Sequence, residues 1–294
     1  MKRSILSLLI AVCLFIIISC TPSPADTLLP KTMPEKTAVL FSSLAEIWLE
    51  AGGSVDITVG ESIERGFVPE GTPLVDSGAG KTVNAELLLS MNPDFVICSS
   101  DIPAQTELVP LLKSAGIPFL SLQVESFDDY VNTLKIFSSI TGNTAAYDHA
   151  LTMQKEIRDI LTANASDSSI LFIRAGSSAS STKAKCAEDH FACAMLEEFG
   201  CYNIADDAPH LLDGLSIEAI LLADPDYIFF SLMGSEDAAQ SNVEALLSEI
   251  TWQSLTAVKE CRVHILPKES FHFKPNSRWV EAYSILADLL KKTS

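Results

Sequence analysis

Two stretches of the 294-residue chain share one pattern of polar and apolar positions. Each begins with a polar residue and a glutamate two positions later, then runs through an apolar segment, a Pro-Asp pair and a second apolar segment; they cover residues 84–99 and 216–231. Asn84 and Ser216 suit helix starts, because their side chains can accept hydrogen bonds from free helical N–H groups. The second apolar segment is too short to span a membrane and suits a buried parallel strand. The pattern predicts two α/β lobes of similar build.

The rest of the chain alternates predicted strands and helices, which indicates parallel sheets with right-handed crossovers. Apolar β-type runs predict strands at 37–41, 55–59, 95–98, 119–122, 170–173, 201–204, 227–231 and 262–266. Apolar residues at helical spacing from Phe127 to Leu161 interrupt this alternation, with a bend predicted at Thr141-Gly142-Asn143. We therefore predict an α/β fold of two Rossmann-like lobes with mostly parallel sheets, joined by one long α-helix.

The amino-terminal residues have the composition of a targeting segment. Lys2 and Arg3 precede an apolar stretch from Ile5 to Ile18, and Ser19-Cys20 completes a sequence that resembles the lipobox of bacterial lipoproteins. We expect lipidation of Cys20 and an exported protein anchored by lipid to the cell membrane, on its periplasmic side or outer face. An ordinary signal peptide and an amino-terminal anchor helix are the alternatives.

These observations divide the chain into five predicted parts. The residues after Cys20 are rich in proline and suit a flexible tether. The predicted boundaries are 1–19 for the signal peptide, 20–36 for the lipidated tether, 37–126 for the first lobe, 127–165 for the linking helix and 166–294 for the second lobe.

Composition excludes several classes of function. The formal net charge is −18, which disfavours nucleic-acid binding because phosphate requires a basic surface. The segment Gly78-Ala79-Gly80-Lys81-Thr82 resembles part of a phosphate-binding loop, but Val75 stands where that motif requires its first glycine. No Ser-His-Asp order, nucleophile elbow or HExxH motif is visible, so we predict that the chain is not an enzyme.

Five cysteines remain after the predicted signal peptide and the lipidated Cys20: Cys98, Cys186, Cys193, Cys201 and Cys261. Three residues, in the order Cys186-x₃-His190-x₂-Cys193, have side chains that can bind zinc. Their spacing matches no common zinc motif, so a disulfide and buried free thiols stay open as alternatives. Spacing alone does not decide which cysteines pair.

Ser42 and Ser43 directly follow the first predicted strand. Ligands of open α/β sheets bind beyond the carboxyl ends of the strands. The two hydroxyls are therefore candidate ligand contacts on the first lobe.

Several short motifs, in this order, resemble those of the solute-binding lipoproteins of ABC importers for iron-siderophores, haem and vitamin B12. They are Leu40-Phe41-Ser42-Ser43-Leu44-Ala45-Glu46, the two Glu-to-Pro-Asp repeats, Trp252-x₂-Leu255-x-Ala257-Val258-Lys259, Arg262-Val263 and Lys274-Pro275-Asn276-x-Arg278-Trp279. The resemblance covers nearly all of residues 37–290. It implies two lobes bridged by a long helix, with a ligand in the cleft and only modest closure. We expect a monomer with no intrinsic cofactor.

The resemblance also implies a membrane permease, with its cytoplasmic ATPase, as the partner. In such proteins one glutamate on each lobe docks into arginine pockets of the permease, and Glu86 and Glu218 match those glutamates by position. The residues themselves permit a simpler explanation, because an acid in the first turn of a helix stabilises the helix dipole.

A large, often anionic and partly aromatic ligand requires cationic donors and aromatic surfaces on rigid loops. Arg174 follows a predicted strand and suits bidentate binding of carboxylate, hydroxamate or catecholate oxygens, with a surface ion pair as the alternative. Arg278 has two alternatives, capping of loop carbonyls or pairing with Glu281. The full set of candidate ligand contacts is Ser42, Ser43, Ser99, Ser100, Arg174, Lys183, Ser231, Met233, Phe271, His272, Lys274 and Arg278.

The motifs do not distinguish a ferric siderophore, haem and a corrinoid, and an iron chelate is our working hypothesis. A related family binds bare zinc or manganese through several histidines and carboxylates. Here the five histidines are scattered, at positions 149, 190, 210, 264 and 272, which disfavours that alternative and predicts no metal site. A surface lipoprotein without a transport role is the other alternative.

Overall fold

The computed structural model describes residues 27–76 and 82–291. The predicted signal peptide, Cys20 and most of the glycine-rich segment Gly78-Ala79-Gly80-Lys81-Thr82 lie outside the described residues. Every structural statement below concerns the described part of the chain.

The first lobe is built on a parallel sheet with the strand order β1-β2-β3. Its elements are β1 (Thr37–Val39), α1 (Ser42–Glu50), α2 (Gly60–Glu64), α3 (Ala85–Ser90), β2 (Phe95–Ser99), α4 (Pro103–Thr106), α5 (Val109–Ala115) and β3 (Phe119–Leu122). All five residues of β2 are buried, because this central strand is covered by helices on both faces.

Two predicted features of this lobe take a different form. The stretch predicted as a strand at 55–59 forms only isolated parallel bridges, from Ile57 to Ala38 and from Thr58 to Leu74. Part of the predicted tether is attached to the lobe, because Leu28 bridges Phe119 and the amides of residues 35 and 36 donate to the Asp94 carboxylate.

Two helices link the lobes, α6 (Phe127–Thr141) and α7 (Ala145–Ala163). The single long helix predicted from the apolar spacing is thus divided at the predicted bend. Gly142 adopts a left-handed conformation with a φ of 75° and ends α6, a conformation that glycine adopts without steric penalty. The Asn143 side chain accepts a hydrogen bond from the Ala145 amide at 3.1 Å, where α7 begins.

The second lobe contains a five-stranded sheet with the path β5-β4-β7-β8 and β6 beside β4. Its strands are β4 (Ser169–Ala175), β5 (Lys183–Ala184), β6 (Tyr202–Asn203), β7 (Tyr227–Leu232) and β8 (Val263–Ile265). Its helices are α8 (Phe191–Glu198), α9 (Ile204–Asp207), α10 (Ile217–Ala223), α11 (Glu236–Ser248), α12 (Thr256–Lys259), α13 (Lys268–Phe271) and α14 (Trp279–Leu289). Only the pairing of β5 with β4 is antiparallel.

One apolar core runs through both lobes and the linking helices. Trp48 of α1 contacts Phe137 of α6 with ring centroids 5.0 Å apart, and Phe127 of α6 lies 6.2 Å from Trp279 of α14. Each sheet has a separate core on its other face. Because large buried rings contribute strongly to packing, the shared core fixes both lobes against the linking helices.

Candidate ligand-binding cleft

The two lobes meet at the carboxyl ends of their parallel strands. Asn276, which follows α13, donates to the Ser43 backbone carbonyl at 3.1 Å and to the Glu46 carboxylate at 2.7 Å. Lys274 of the same segment forms an ion pair with Glu125 of the first lobe. These contacts place a segment of the second lobe directly against the loops of the first, at the edge where ligands of α/β sheets bind.

Arg65 organises the first-lobe wall of this cleft. Its guanidinium donates to the hydroxyls of Ser42 and Ser43 at 3.0 and 3.2 Å and forms a salt bridge with Glu46 at 3.2 Å. Burial lowers the pKa of Arg65, while Glu46 and Glu61 raise it because nearby carboxylates favour the charged form. Both predicted ligand hydroxyls are therefore buried and already bonded within the protein. Their direct contact with a ligand stays a prediction.

The guanidinium of Arg65 also contacts two aromatic rings from different lobes. Its central carbon is 4.4 Å from the ring centroid of Phe67 and 4.2 Å from that of Phe273. Sequence reasoning missed all three residues. In the sequence, the one feature that points to these residues is that Phe271 and Phe273 flank His272. That pattern does not indicate which residues the two rings contact.

Arg174 and Lys183 form a pair of cations on the second lobe. They are direct cross-strand partners in the antiparallel pairing of β4 with β5, so their side chains start from the same face of the sheet. Burial lowers the pKa of Arg174, and no carboxylate of the described residues forms an ion pair with either cation. Arg174 is therefore a half-buried cation without a counter-ion among the described residues, and such a position favours an anionic ligand.

Two histidines lie near Arg174. Burial and the charge of Arg174 lower the pKa of His272, whereas Glu61 across the cleft raises it. Burial and Arg174 also lower the pKa of His190, to about 3. His190 Nδ1 accepts a hydrogen bond from an α8 backbone amide at 3.2 Å, while His272 Nδ1 is buried without a hydrogen-bond partner in the structure. Both imidazoles are neutral at pH 7, so neither adds a full positive charge to the wall.

The opposite wall carries the carboxyl groups of Asp101 and Glu125. Burial and the neighbouring Glu125 raise the pKa of Asp101 to about 6, and Lys274 opposes this shift. Lys274 Nζ lies 5.0 Å from the ring centroid of Phe191 in addition to its ion pair with Glu125. The cleft thus has a cationic wall and an acidic wall, and a ligand anion that binds Lys274 must compete with Glu125.

Four further predicted contacts lie at the strand ends, with different exposure. Ser100 is exposed and Met233 is half-buried. Ser99 is buried, and its hydroxyl accepts a hydrogen bond from a loop amide at 3.2 Å. Ser231 is buried and donates to the backbone carbonyl of Phe271 at 3.2 Å. Only Ser100 and Met233 among these four present side-chain surface to the solvent.

Phe271 and Arg278 serve the packing of the second lobe. The Phe271 side chain is fully buried in the shared core. Arg278 donates to the backbone carbonyl of Glu269 at 2.8 Å, which is the carbonyl-capping alternative named above. Their direct contact with a ligand stays a prediction.

Glu86 and Glu218 are both exposed, in the first turns of α3 and α10. The predicted helix caps are confirmed, because the Asn84 side chain accepts from a backbone amide at 3.0 Å and the Ser216 hydroxyl from another at 3.4 Å. No described cation forms an ion pair with either glutamate. Both carboxylates are therefore accessible to a partner.

The cysteines of the described residues are all free thiols. Burial raises the pKa of Cys98 and of Cys201 to about 11. In the described ranges no group of three or more histidine, cysteine, aspartate or glutamate side chains is arranged to hold a metal ion. The zinc interpretation of Cys186, His190 and Cys193 gains no support from this arrangement.

Two surface cavities lie away from the cleft, on the second lobe. One has a volume of about 430 Å³ and is lined by residues of α8, α9 and the preceding loop, including three acidic side chains. The other has a volume of about 390 Å³ and lies beside α10. Neither contains a predicted ligand contact, so the interlobe cleft is the candidate site.

Two α/β lobes, linked by helices and facing each other across a charged cleft, define the class of two-lobed solute-binding proteins. The chain belongs to the periplasmic binding protein family, whose model matches residues 38–270. The family predicted from the motifs and the predicted α/β fold of two lobes are both confirmed, with two linking helices in place of the single one. Membership in a family of binding proteins also confirms that the chain is not an enzyme.

Known proteins of this kind resemble the chain over most of its length. The vitamin B12-binding protein of Vibrio cholerae is 25% identical over 224 residues, which cover 74% of this chain and 76% of that protein. The structure of a possible iron-binding periplasmic solute-binding protein from Staphylococcus epidermidis matches with a TM-score of 0.69 and 18% identity, over 89% of this chain and 100% of that chain. The periplasmic heme-binding protein RhuT from Roseiflexus matches with a TM-score of 0.67 and 19% identity, over 87% and 97%. At these identities the two structures establish the shared fold.

The described helices lie between Ser42 and Leu289. None of them combines the length and the apolar content that a membrane span requires. The apolar stretch from Ile5 to Ile18 lies outside the described residues.

Proposed function

We propose that this chain is the substrate-binding component of an ABC importer, and that it binds an iron chelate in the interlobe cleft and delivers it to a membrane permease. The observation that carries the proposal is Arg174, a half-buried cation at the cleft that no described carboxylate neutralises. An anionic ligand group would supply the missing counter-charge in a charge-assisted, bidentate contact.

The charge of the second-lobe wall favours an anionic chelate, such as a ferric siderophore or haem, over a corrinoid. Lys183 is the strand neighbour of Arg174, and Lys268 lies close enough to His272 to lower the pKa of that imidazole. Proteins named for binding vitamin B12, haem and iron resemble this chain. These names do not distinguish a corrinoid, haem and a ferric siderophore, so the binding experiment includes all three.

The alternative of a bare zinc or manganese ion has less support. Such ions require several convergent nitrogen, sulfur or oxygen ligands, and the described residues contain no such group. His190, which lies in the proposed cysteine–histidine motif, uses Nδ1 to cap α8.

The proposal is tested by titrating the purified, unlipidated protein, from about residue 25, with ferric siderophores, haemin, cobalamin, Zn²⁺ and Mn²⁺, following tryptophan fluorescence. We expect submicromolar saturation by one iron chelate. Loss of one bidentate charged contact in Arg174→Ala should weaken that binding by about 10- to 100-fold. Arg158→Ala, which removes an exposed arginine of α7, is the matched control and should bind like the wild type.

The other outcomes of the titration have distinct meanings. Saturation by cobalamin alone would replace the chelate with a corrinoid. A tight response only to free Zn²⁺ or Mn²⁺ would assign the chain to the metal-binding alternative. No response to any probe would favour a surface lipoprotein without a transport role.

Delivery to a permease is supported by the two exposed glutamates. Glu86 and Glu218 occupy matched positions in the two lobes, each two residues after a capping side chain. Exposed carboxylates at matched sites suit a partner that carries two arginine-lined pockets. We propose that these residues dock the loaded protein, as a monomer, onto the permease.

Anchoring by lipid at Cys20 is proposed from the sequence. The cysteine follows a basic start, an apolar segment and a small residue, which is the order found in lipoprotein signal peptides. Metabolic labelling with a fatty acid should mark the wild-type chain and leave Cys20→Ala unlabelled. Equal labelling of both chains would contradict the anchor.

A further inference from the structure

We infer that Arg65 is a positioning residue for the ligand: it holds Phe273, and with it the neighbouring His272 and Lys274, in place across the cleft. The inference rests on the proposed function and extends it, because Arg65 belongs to no predicted set of ligand contacts. Its side chain is only 10% exposed, which leaves little surface for a ligand to touch.

The first step is that the Arg65 guanidinium is immobilised within the first lobe. One terminal nitrogen donates to the Ser42 and Ser43 hydroxyls, at 3.0 and 3.2 Å, and the other donates to Glu46 at 3.2 Å. Ser42 itself donates to Glu61 of α2. The planar group is thereby fixed to both α1 and α2, and its orientation no longer depends on its flexible stem.

The second step is that two aromatic rings, one from each lobe, contact this fixed guanidinium. Phe67 of the same lobe lies 4.4 Å from the central guanidinium carbon, and Phe273 of the other lobe lies 4.2 Å from it. A cation at this distance from an aromatic face is attracted to the ring quadrupole, and more strongly where water is excluded. Arg65 therefore attaches Phe273 to the first lobe.

The third step concerns the residues on either side of Phe273. His272 lies beside Arg174 at the candidate anion site, and Lys274 pairs with Glu125. The amides of His272 and Phe273 still bond back to the Lys268 carbonyl, at 2.9 and 3.3 Å. Beyond them the segment leaves α13. Lys274 and Asn276 bind the first lobe, and Arg278 bonds back to the Glu269 carbonyl of α13.

The last step is that two of these attachments share one carboxylate. Glu46 accepts from Arg65 at 3.2 Å and from Asn276 at 2.7 Å. Loss of Arg65 would remove the cation–π contact with Phe273 and leave Glu46 to accept a hydrogen bond from Asn276 alone among these two donors. The segment would then be held less firmly, and a bound ligand would escape faster through it.

The test compares ring substitutions at position 273 in ligand binding. Phe273→Leu keeps an apolar side chain without the ring, and Phe273→Tyr keeps the ring. We expect Phe273→Leu to raise the Kd of the chelate by about tenfold, mainly through faster dissociation, and Phe273→Tyr to stay within about threefold of the wild type. Arg65→Lys keeps the charge but not the plane, and should resemble Phe273→Leu.

A structural control separates positioning from general destabilisation. Val243→Ala removes two methyl groups from the core on the far face of the second-lobe sheet, so it should lower the melting temperature and leave the Kd unchanged. Equal binding by Phe273→Leu and the wild type, or equal loss in the Leu and Tyr variants, would overturn the inference.

Hydrogen–deuterium exchange of the ligand-free protein gives a readout that does not depend on the ligand. We expect faster exchange confined to the amides of residues 272–274 and 276–278 in Phe273→Leu and Arg65→Lys, and not in Val243→Ala. If the wild type binds no chelate while this local exchange changes as expected, the proposed function fails and the attachment of the segment by Arg65 stands. Unchanged exchange in both variants would refute the attachment itself.

Discussion

Lys274 of the second lobe forms an ion pair with Glu125 of the first lobe. The Lys274 ammonium also lies 5.0 Å from the Phe191 ring centroid, and the Asp101 carboxyl lies beside Glu125. Two carboxyl groups therefore share one ammonium group at the junction of the lobes. A proton, ion or ligand that binds at this junction therefore changes the electrostatic interactions of Lys274, Glu125 and Asp101 together.

The first prediction concerns Asp101, whose pKa is raised from a usual 3.8 to about 6 by burial and by Glu125. The unfolded chain ionises this group at lower pH than the folded protein does. Its contribution to stability is therefore present below about pH 4 and is lost as the pH rises through about 6. Asp101 keeps an exposed surface, so solvent screens this effect, and Asp101→Asn should stabilise the protein at pH 7 by about 1 kcal/mol or less.

Urea unfolding of the wild type and Asp101→Asn at pH 4.5 and pH 7.0 checks this prediction. The stability difference between the two proteins should be larger at pH 7.0 than at pH 4.5. Asp159→Asn, which removes an exposed carboxylate of α7, is the matched control for the loss of one acidic side chain. A difference that is equal at both pH values would contradict the assignment.

The second prediction has the opposite sign and concerns His190. Burial lowers its pKa from a usual 6.5 to about 3, so the unfolded chain binds a proton that the folded protein excludes. Stability is fully present above about pH 6.5 and is lost as the pH falls towards 3, by up to about 1.4 kcal/mol per pH unit.

His190→Asn should flatten this loss, because asparagine does not titrate and still offers a cap acceptor to α8. Unfolding free energies measured in steps from pH 7 to pH 4.5 give the slope for each protein. Parallel slopes for the variant and the wild type would show that His190 does not titrate as inferred.

The third prediction concerns Asn276, a fully buried residue with a φ of 50°. Its side chain makes hydrogen bonds of 3.1 and 2.7 Å to the first lobe, and its left-handed backbone is one that asparagine and glycine tolerate best. Asn276→Ala loses both advantages, and should destabilise the protein by about 2–4 kcal/mol. Asn276→Gly loses only the hydrogen bonds and should be less harmful.

Thermal and urea unfolding of the two variants separate the two contributions. If the left-handed backbone of residue 276 contributes to the loss of stability, Asn276→Ala must be less stable than Asn276→Gly. The same order should appear in ligand affinity, because both variants loosen the segment that carries Lys274. Equal stability of the two variants would assign the whole effect to the side-chain hydrogen bonds.

The fourth prediction concerns docking. Combined Glu86→Ala and Glu218→Ala should leave the affinity for the ligand unchanged and abolish uptake by cells, because the two exposed carboxylates lie outside the cleft. Uptake of the radiolabelled ligand and titration of the purified variant measure the two properties separately. Glu64→Ala with Glu236→Ala, a matched loss of two charges elsewhere, should transport normally. Normal uptake by the docking variant would refute the assignment.

Much of the fold was predictable because its signals are local. The Asn84 and Ser216 caps depend on hydrogen bonds that span only three residues, and a buried parallel strand appears as an unbroken apolar run. Gly142 could be recognised as a bend for the same reason, although the apolar spacing on both sides suggested one helix. The family motifs added the order of the elements and the position of the cleft.

The sequence by itself determined the two α/β lobes, the helical link and the charged character of residues such as Arg174. The tertiary structure alone decided which of these side chains remain free for a ligand. Ser42 and Ser43 were predicted as ligand contacts, yet they bond to Arg65, some 20 positions away in the chain. Phe273 meets the same arginine from the other lobe. Contacts between distant segments depend on how the lobes pack, and no local pattern of residues encodes that arrangement.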